Sequence, residues 1–124
     1  MNYPNDLKYT SDHVWAKVEG DNILIGLTDY AQDQLGDIIY VDLPSEGDIF
    51  AAGEIFVEVE SGKTSSELAS PFAGEVVKVN EELEDYPALL NEDCYGTWIL
   101  ELKADDMLAM DLMLSAIDYE TSLE

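Results

Sequence analysis

Through most of this chain apolar residues gather in short runs bounded by turn residues instead of recurring at helical spacing. Val14-Trp15-Ala16-Lys17-Val18 and Ile23-Leu24-Ile25-Gly26-Leu27 flank Glu19-Gly20-Asp21-Asn22, a turn composition, so the pattern predicts two strands joined as a hairpin. Thr28 then precedes Asp29-Tyr30-Ala31-Gln32-Asp33-Gln34-Leu35, in which Ala31 and Leu35 lie four apart. That is a short helix capped by Thr28 and ended by Gly36. Ile38-Ile39-Tyr40-Val41 reads as a strand stopped by Pro44, and Ser45-Glu46-Gly47-Asp48 as a turn. Trp98-Ile99-Leu100-Glu101-Leu102 closes the β portion, after an acidic loop that holds Pro87 and Tyr95-Gly96.

Two runs in the middle resemble one another. Residues 53–60 and 71–81 both contain Gly-Glu followed by branched or aromatic residues, and both end in glutamate. They predict two matching half-units, with the small-residue turn Ser61-Gly62-Lys63-Thr64-Ser65-Ser66 between them. Lys63 is the only lysine set in a turn of this kind. Lys8, Lys17, Lys78 and Lys103 lie in or beside apparent strands, where a long charged side chain is a solubilising group.

The tail changes period. From Ala104 onward there is no proline or glycine, and Met107, Met110, Leu114 and Ile117 recur at spacings of three and four, with Leu108 and Leu112 alongside. An amphipathic helix over about 104–120 is expected to cover one end of a β core that spans about 8–103. Asp105 and Asp106 suit its N-terminal dipole. Many short strands with turn signals and two small helices indicate a mainly β fold, and 124 residues suffice for one domain, 1–124.

Charge narrows the partners. Twenty-eight acids face five lysines, for a formal charge of −23. Such a surface repels nucleic-acid phosphates and anionic membranes, and no apolar run is long enough to span a bilayer. The same charge would steer basic docking surfaces toward the protein. The single Cys94 has no intramolecular partner and no basic neighbour, so a buried structural thiol is expected. Met1-Asn2-Tyr3-Pro4-Asn5-Asp6 lacks the basic start and apolar core of a secretion signal, which points to a cytoplasmic protein. No nucleophile–base pattern, P-loop or metal-spaced cluster stands out.

Glu60-Ser61-Gly62-Lys63-Thr64, Ser70-Pro71 and Gly74-Glu75-Val76-Val77-Lys78-Val79-Asn80-Glu81 together resemble the lipoyl-lysine region of the H-protein family of the glycine cleavage system. Lys8-Tyr9, His13-Val14-Trp15, Gly26-Leu27-Thr28-Asp29-Tyr30-Ala31-Gln32, Leu35-Gly36-Asp37 and Val41-Asp42-Leu43-Pro44 extend the resemblance upstream. Asn80-Glu81-Glu82-Leu83, Pro87, Leu90-Asn91-Glu92 and Trp98 extend it downstream, so that it runs roughly from Lys8 to Lys103.

The resemblance implies a flattened barrel-sandwich hybrid of the lipoyl or biotinyl type, with a short helix in the N-terminal half and another at the C-terminus. It implies lipoate joined covalently to Lys63, and a carrier that performs no catalysis with its own side chains. The implied partners are a pyridoxal-phosphate glycine decarboxylase, a tetrahydrofolate-dependent aminomethyltransferase, dihydrolipoyl dehydrogenase and a lipoylating enzyme. The implied cargo is the aminomethyl group of glycine. Glu60 and Gly74 match positions that serve lipoylation, and Glu67, Asp12 and Val14 are candidate contacts for a folded-back arm. His13 is expected to be a hydrogen-bonding residue and Trp15 a core or rim aromatic. The chain departs from the family pattern where Val14 replaces a frequent acid, Gly62 a frequent valine and Cys94 a frequent proline. These departures leave two alternatives open: an H-like lipoyl carrier in lipoate relay or sulfur oxidation, and an unmodified acidic interaction protein.

Overall fold

The computed structural model describes residues 3–123, with the side chains of residues 107–109 outside that description. In chain order the elements are β1 (Lys8–Tyr9), β2 (Val14–Glu19), β3 (Asn22–Leu27), α1 (Asp29–Leu35), β4 (Ile38–Asp42), β5 (Ile49–Phe50), β6 (Ile55–Ser61), β7 (Ser65–Ala69) and β8 (Gly74–Val79). Single helical turns α2 (Glu82–Asp85) and α3 (Leu89–Glu92) follow, then β9 (Leu100–Ala104), a 3-10 segment Met107–Leu112 and α4 (Ala116–Ser122).

Two sheets face each other across one core. The larger has the order β1-β2-β3-β9-β8-β5 and the smaller β4-β6-β7, the flattened barrel-sandwich that the sequence led us to expect. Their inward residues, among them Ile25, Leu27, Val57, Val59, Leu68, Val76 and Leu102, are buried in a single cluster. That burial supplies the main favourable term in the stability of the fold. Among the described residues no helix is long and apolar enough to cross a membrane.

The local predictions hold where local chemistry decides. β2 and β3 pair as a hairpin from Val14↔Leu27 to Glu19↔Asn22. Thr28 caps α1 by accepting from the Ala31 N–H, and Gly36 ends it at φ 79°. Cys94 is buried, which pushes its thiol up to about 12.

The half-unit reading needs correcting. Residues 53–60 and 71–81 both contain strands, but they do not pair with each other across the lysine turn. β6 pairs with β7, built from Ser65–Ala69, while β8 belongs to the other sheet and pairs with β5 and β9. The serines placed in the turn by composition are therefore strand residues, anchored by Leu68 alone among the buried hydrophobic side chains.

The tail also differs from the single helix over 104–120. Ala104 ends β9, and Leu114 exchanges both backbone hydrogen bonds with Tyr9, at 2.9 and 2.8 Å. Helix resumes only when the Ser115 hydroxyl accepts from the Asp118 N–H. Of the expected stripe, Ile117 is 75% exposed and Leu112 88%, while Met110 and Leu114 pack half-buried against the hydrophobic clusters; the buried residues of α4 are Ala116 and Tyr119. Met107 and Leu108 of that stripe lie outside the described side chains. α4 thus covers a second, smaller cluster with Leu7, Tyr9 and Trp15. Trp15 and Val14 are both fully buried, because β2 has the core on one face and this cluster on the other.

Candidate functional site

Ser61 makes the turn at the tip of the β6–β7 hairpin. Its backbone N–H donates to Thr64 O at 2.8 Å, and its hydroxyl oxygen accepts from the N–H groups of Lys63 and Thr64, both at 3.2 Å. With these groups satisfied locally, the Lys63 side chain stays exposed. It runs over Gly36, where a Cβ would lie 2.8 Å from Lys63 Cε and 3.3 Å from Nζ. Glycine suits the positive φ there, and any larger residue would push the Lys63 side chain aside.

Asn91 on α3 fixes this platform. Its amide nitrogen donates to Gly36 O at 2.8 Å and to Gln32 Oε1 at 3.1 Å, and its Oδ1 accepts from Ile38 N–H at 2.9 Å. Sequence reasoning gave Asn91 no role. The amide joins the end of α1 to the start of β4 across more than fifty positions, and no local pattern signals that.

Beside the hairpin lies a cleft of about 210 Å³ between β7, α1 and the turn before β2. Leu27, Ala31, Leu35 and Leu68 supply its apolar surface, and Asp12, His13, Gln34, Thr64, Ser65 and Ser66 its polar surface. These residues fit an aliphatic arm attached to Lys63, with apolar wall for the chain and polar groups for its ends.

The residues singled out from sequence separate on this geometry. Asp12 lines the cleft and Thr64 joins it directly to Lys63. Val14 has no exposed surface and packs in the core, so the structure does not bring it to the cleft. Glu67 lines a different depression, of about 300 Å³, together with Asp42, Asp48 and Glu58. Glu60 pairs with Tyr40 on one side and Ser65 on the other, close below the turn. The neighbouring Glu58 carboxyl is held above the ordinary range, first by a hydrogen bond shared with Glu60, then by desolvation, and then by the like charges of Glu60, Glu67 and Asp42. Gly74 opens β8 against Ala104, in the sheet that does not contain the lysine hairpin.

His13 hydrogen-bonds through Nδ1 to the Tyr119 hydroxyl at 2.8 Å, as a structural histidine would. Burial lowers its pKa, and the adjacent Asp12 opposes that shift. A histidine with a depressed folded pKa contributes stability that is complete above the unfolded value of about 6.5 and is lost as pH falls through the folded value. Melting temperature should therefore drop between pH 7.5 and 6, by at most a few degrees, while most carboxylates stay ionised. His13→Asn, which tolerates the backbone φ of 70°, should flatten that slope; an unchanged slope would mean another group titrates.

A two-sheet β domain that presents a free lysine at a tight hairpin tip, over a glycine platform and beside a partly apolar cleft, defines a carrier domain of the swinging-arm class. A family profile described as "Glycine cleavage H-protein" matches residues 7–124. The chain is 51% identical over 120 residues to the glycine cleavage system H protein of Clostridioides difficile (strain 630), covering 96% of each. It is 50% identical over 125 residues to a glycine cleavage system H protein of Thermus thermophilus, covering 100% of this chain and 98% of the relative. A crystal structure of a glycine cleavage system H protein from Mycobacterium marinum matches it with a TM-score of 0.87 at 35% identity, over 97% of this chain and 98% of that one. The chain belongs to the glycine cleavage H-protein family.

Proposed function

We propose that this chain is the lipoyl carrier of a glycine cleavage system and that Lys63 bears the lipoyl group. The observation that carries the assignment to Lys63 is its exposed side chain at a self-satisfied turn, over Gly36 and next to the cleft. When bound, lipoate supplies a long neutral arm ending in a dithiolane, which can accept the aminomethyl group of glycine and be left as a dithiol. The chain's own residues hold and orient. Ser61 keeps the attachment point at the tip, Asn91 and Gly36 keep a flat surface beneath it, and the cleft offers the arm a resting place away from water. Tethering raises the effective concentration of the reacting group at each partner, which is the carrier's contribution to the overall rate.

The partners in this proposal are glycine decarboxylase, the aminomethyltransferase, dihydrolipoyl dehydrogenase and the lipoylating enzyme, met in the cytoplasm. In this proposal Glu60, close below the turn, and Gly74 serve recognition by the lipoylating enzyme. The test is reconstitution: lipoylated protein with the three partner enzymes should support glycine-dependent NADH formation. A lipoylated chain that supports none would instead be an H-like carrier for another pathway. Because the formal charge is −23, association with these partners should slow several-fold or more from low to physiological salt. Association rates that stay flat over that range would reject electrostatic steering.

A further inference from the structure

Tyr119 links the C-terminal helix to the cleft wall. Its hydroxyl lies 2.8 Å from His13 Nδ1 and 2.8 Å from Thr28 Oγ1, and both Thr28 and Tyr119 are fully buried. The Thr28 oxygen already accepts from the Ala31 N–H. Its own proton therefore has Tyr119 as the acceptor within reach among the described residues, and the Tyr119 proton is left for His13 Nδ1. The reverse order would strand the Thr28 proton in a buried site with no acceptor, which folded proteins avoid.

His13 is also held from other directions. Its N–H donates to Thr10 O at 3.1 Å, its carbonyl accepts from Thr28 N–H at 3.1 Å, and its ring packs 4.7 Å from that of Tyr30. Nδ1 is turned to Tyr119, and His13 is among the residues lining the cleft. Nε2 has no partner among the described residues and is not a buried unsatisfied atom, so it is open to a ligand.

We propose that Tyr119 is a positioning residue for the Lys63 cleft: through a buried chain from Thr28 it holds His13 as the Nε2–H tautomer, so that the cleft wall offers a hydrogen-bond donor, and not a base, to the amide oxygen of an arm on Lys63. The arm contact rests on lipoylation of Lys63; the tautomer does not. The groups facing the ring are Asp12 from its own turn, Tyr30 from α1 and Tyr119 from α4, and Asp12 is the one charged residue among those lining the cleft. Burial keeps the ring neutral more readily than an exposed histidine, in line with a donor–acceptor pattern that protonation of Nδ1 would break.

The chain has a single histidine, so nitrogen NMR of the imidazole reads one residue. Unlipoylated protein near pH 7.5 should show the Nε2–H tautomer alone. Tyr119→Phe should give a mixture of tautomers and move the titration midpoint up toward the ordinary histidine value of about 6.5, whereas Thr28→Ser, which keeps the hydroxyl, should leave both unchanged. An Nδ1–H tautomer in the wild type, or a Tyr119→Phe variant that is folded and unaltered in tautomer, would overturn the proposal. In protein shown by mass to carry lipoate on Lys63, the Nε2–H resonance should shift relative to the unmodified form. No shift would remove the arm contact. Protein whose Lys63 takes no lipoate would overturn the carrier reading and the contact together, with the tautomer result standing on its own.

Discussion

Lys63→Arg is expected to abolish lipoate incorporation and, with it, all glycine-dependent turnover in a reconstituted system, while leaving the fold intact. Arginine keeps the positive charge but has no amine that a lipoylating enzyme can acylate. The side chain is exposed and forms no ion pair among the described residues, so stability should stay within about 0.5 kcal/mol of wild type. Lys78 is the nearest lysine after it in the chain, and it is engaged over the Trp98 ring at 5.6 Å. It stands within β8, paired with Glu101, and not at a hairpin tip. Lipoate found on Lys78 of the variant, or turnover persisting without Lys63, would contradict the site.

Gly74→Leu is expected to act on the fold first. A Cβ at this position would lie 3.0 Å from Ala104 Cα and press against the Lys103 carbonyl oxygen, backbone that cannot rotate away as a side chain can. Spreading β8 from β9 to make room should cost about 1–3 kcal/mol, as overpacking generally does. Denaturant midpoints of wild type and variant measure this directly, and a loss under about 0.5 kcal/mol would mean that the strands adjust freely. β8 follows β7 by a short connection through Ser70, so a shifted β8 also displaces the base of the lysine hairpin. Lipoylation should fall for that reason. A variant that is destabilised yet lipoylated at the normal rate while folded would confine Gly74 to the packing of β8 on β9.

What the sequence made legible is what neighbours in the chain decide. The β2–β3 hairpin follows from a four-residue turn between two short apolar runs, and α1 from a threonine cap and a terminal glycine. The turn that presents Lys63 was legible for the same reason, since it is closed by Ser61, two residues before the lysine. β7 was not, because Ser65–Ala69 has one strongly apolar residue and becomes a strand only by pairing with β6. The tail misled because apolar spacing alone does not show that Leu114 is claimed by the backbone of Tyr9, more than a hundred positions away.

Distance in sequence also hid much of the cleft. Its wall combines the turn before β2, α1 and β7, and its supports, Asn91 and Tyr119, come from further on still. Val14 and Glu67 were candidates by position in the chain, yet β2 is covered on both faces and Glu67 stands at a separate depression. Asp12 is the candidate arm contact that the structure leaves at the cleft.

The most direct measurement is intact mass followed by peptide mapping of protein isolated from lipoate-sufficient cells. A single lipoyl amide, on Lys63, is expected. Protein that is consistently unmodified, or that carries the lipoyl group on Lys8, Lys17, Lys78 or Lys103, would contradict it.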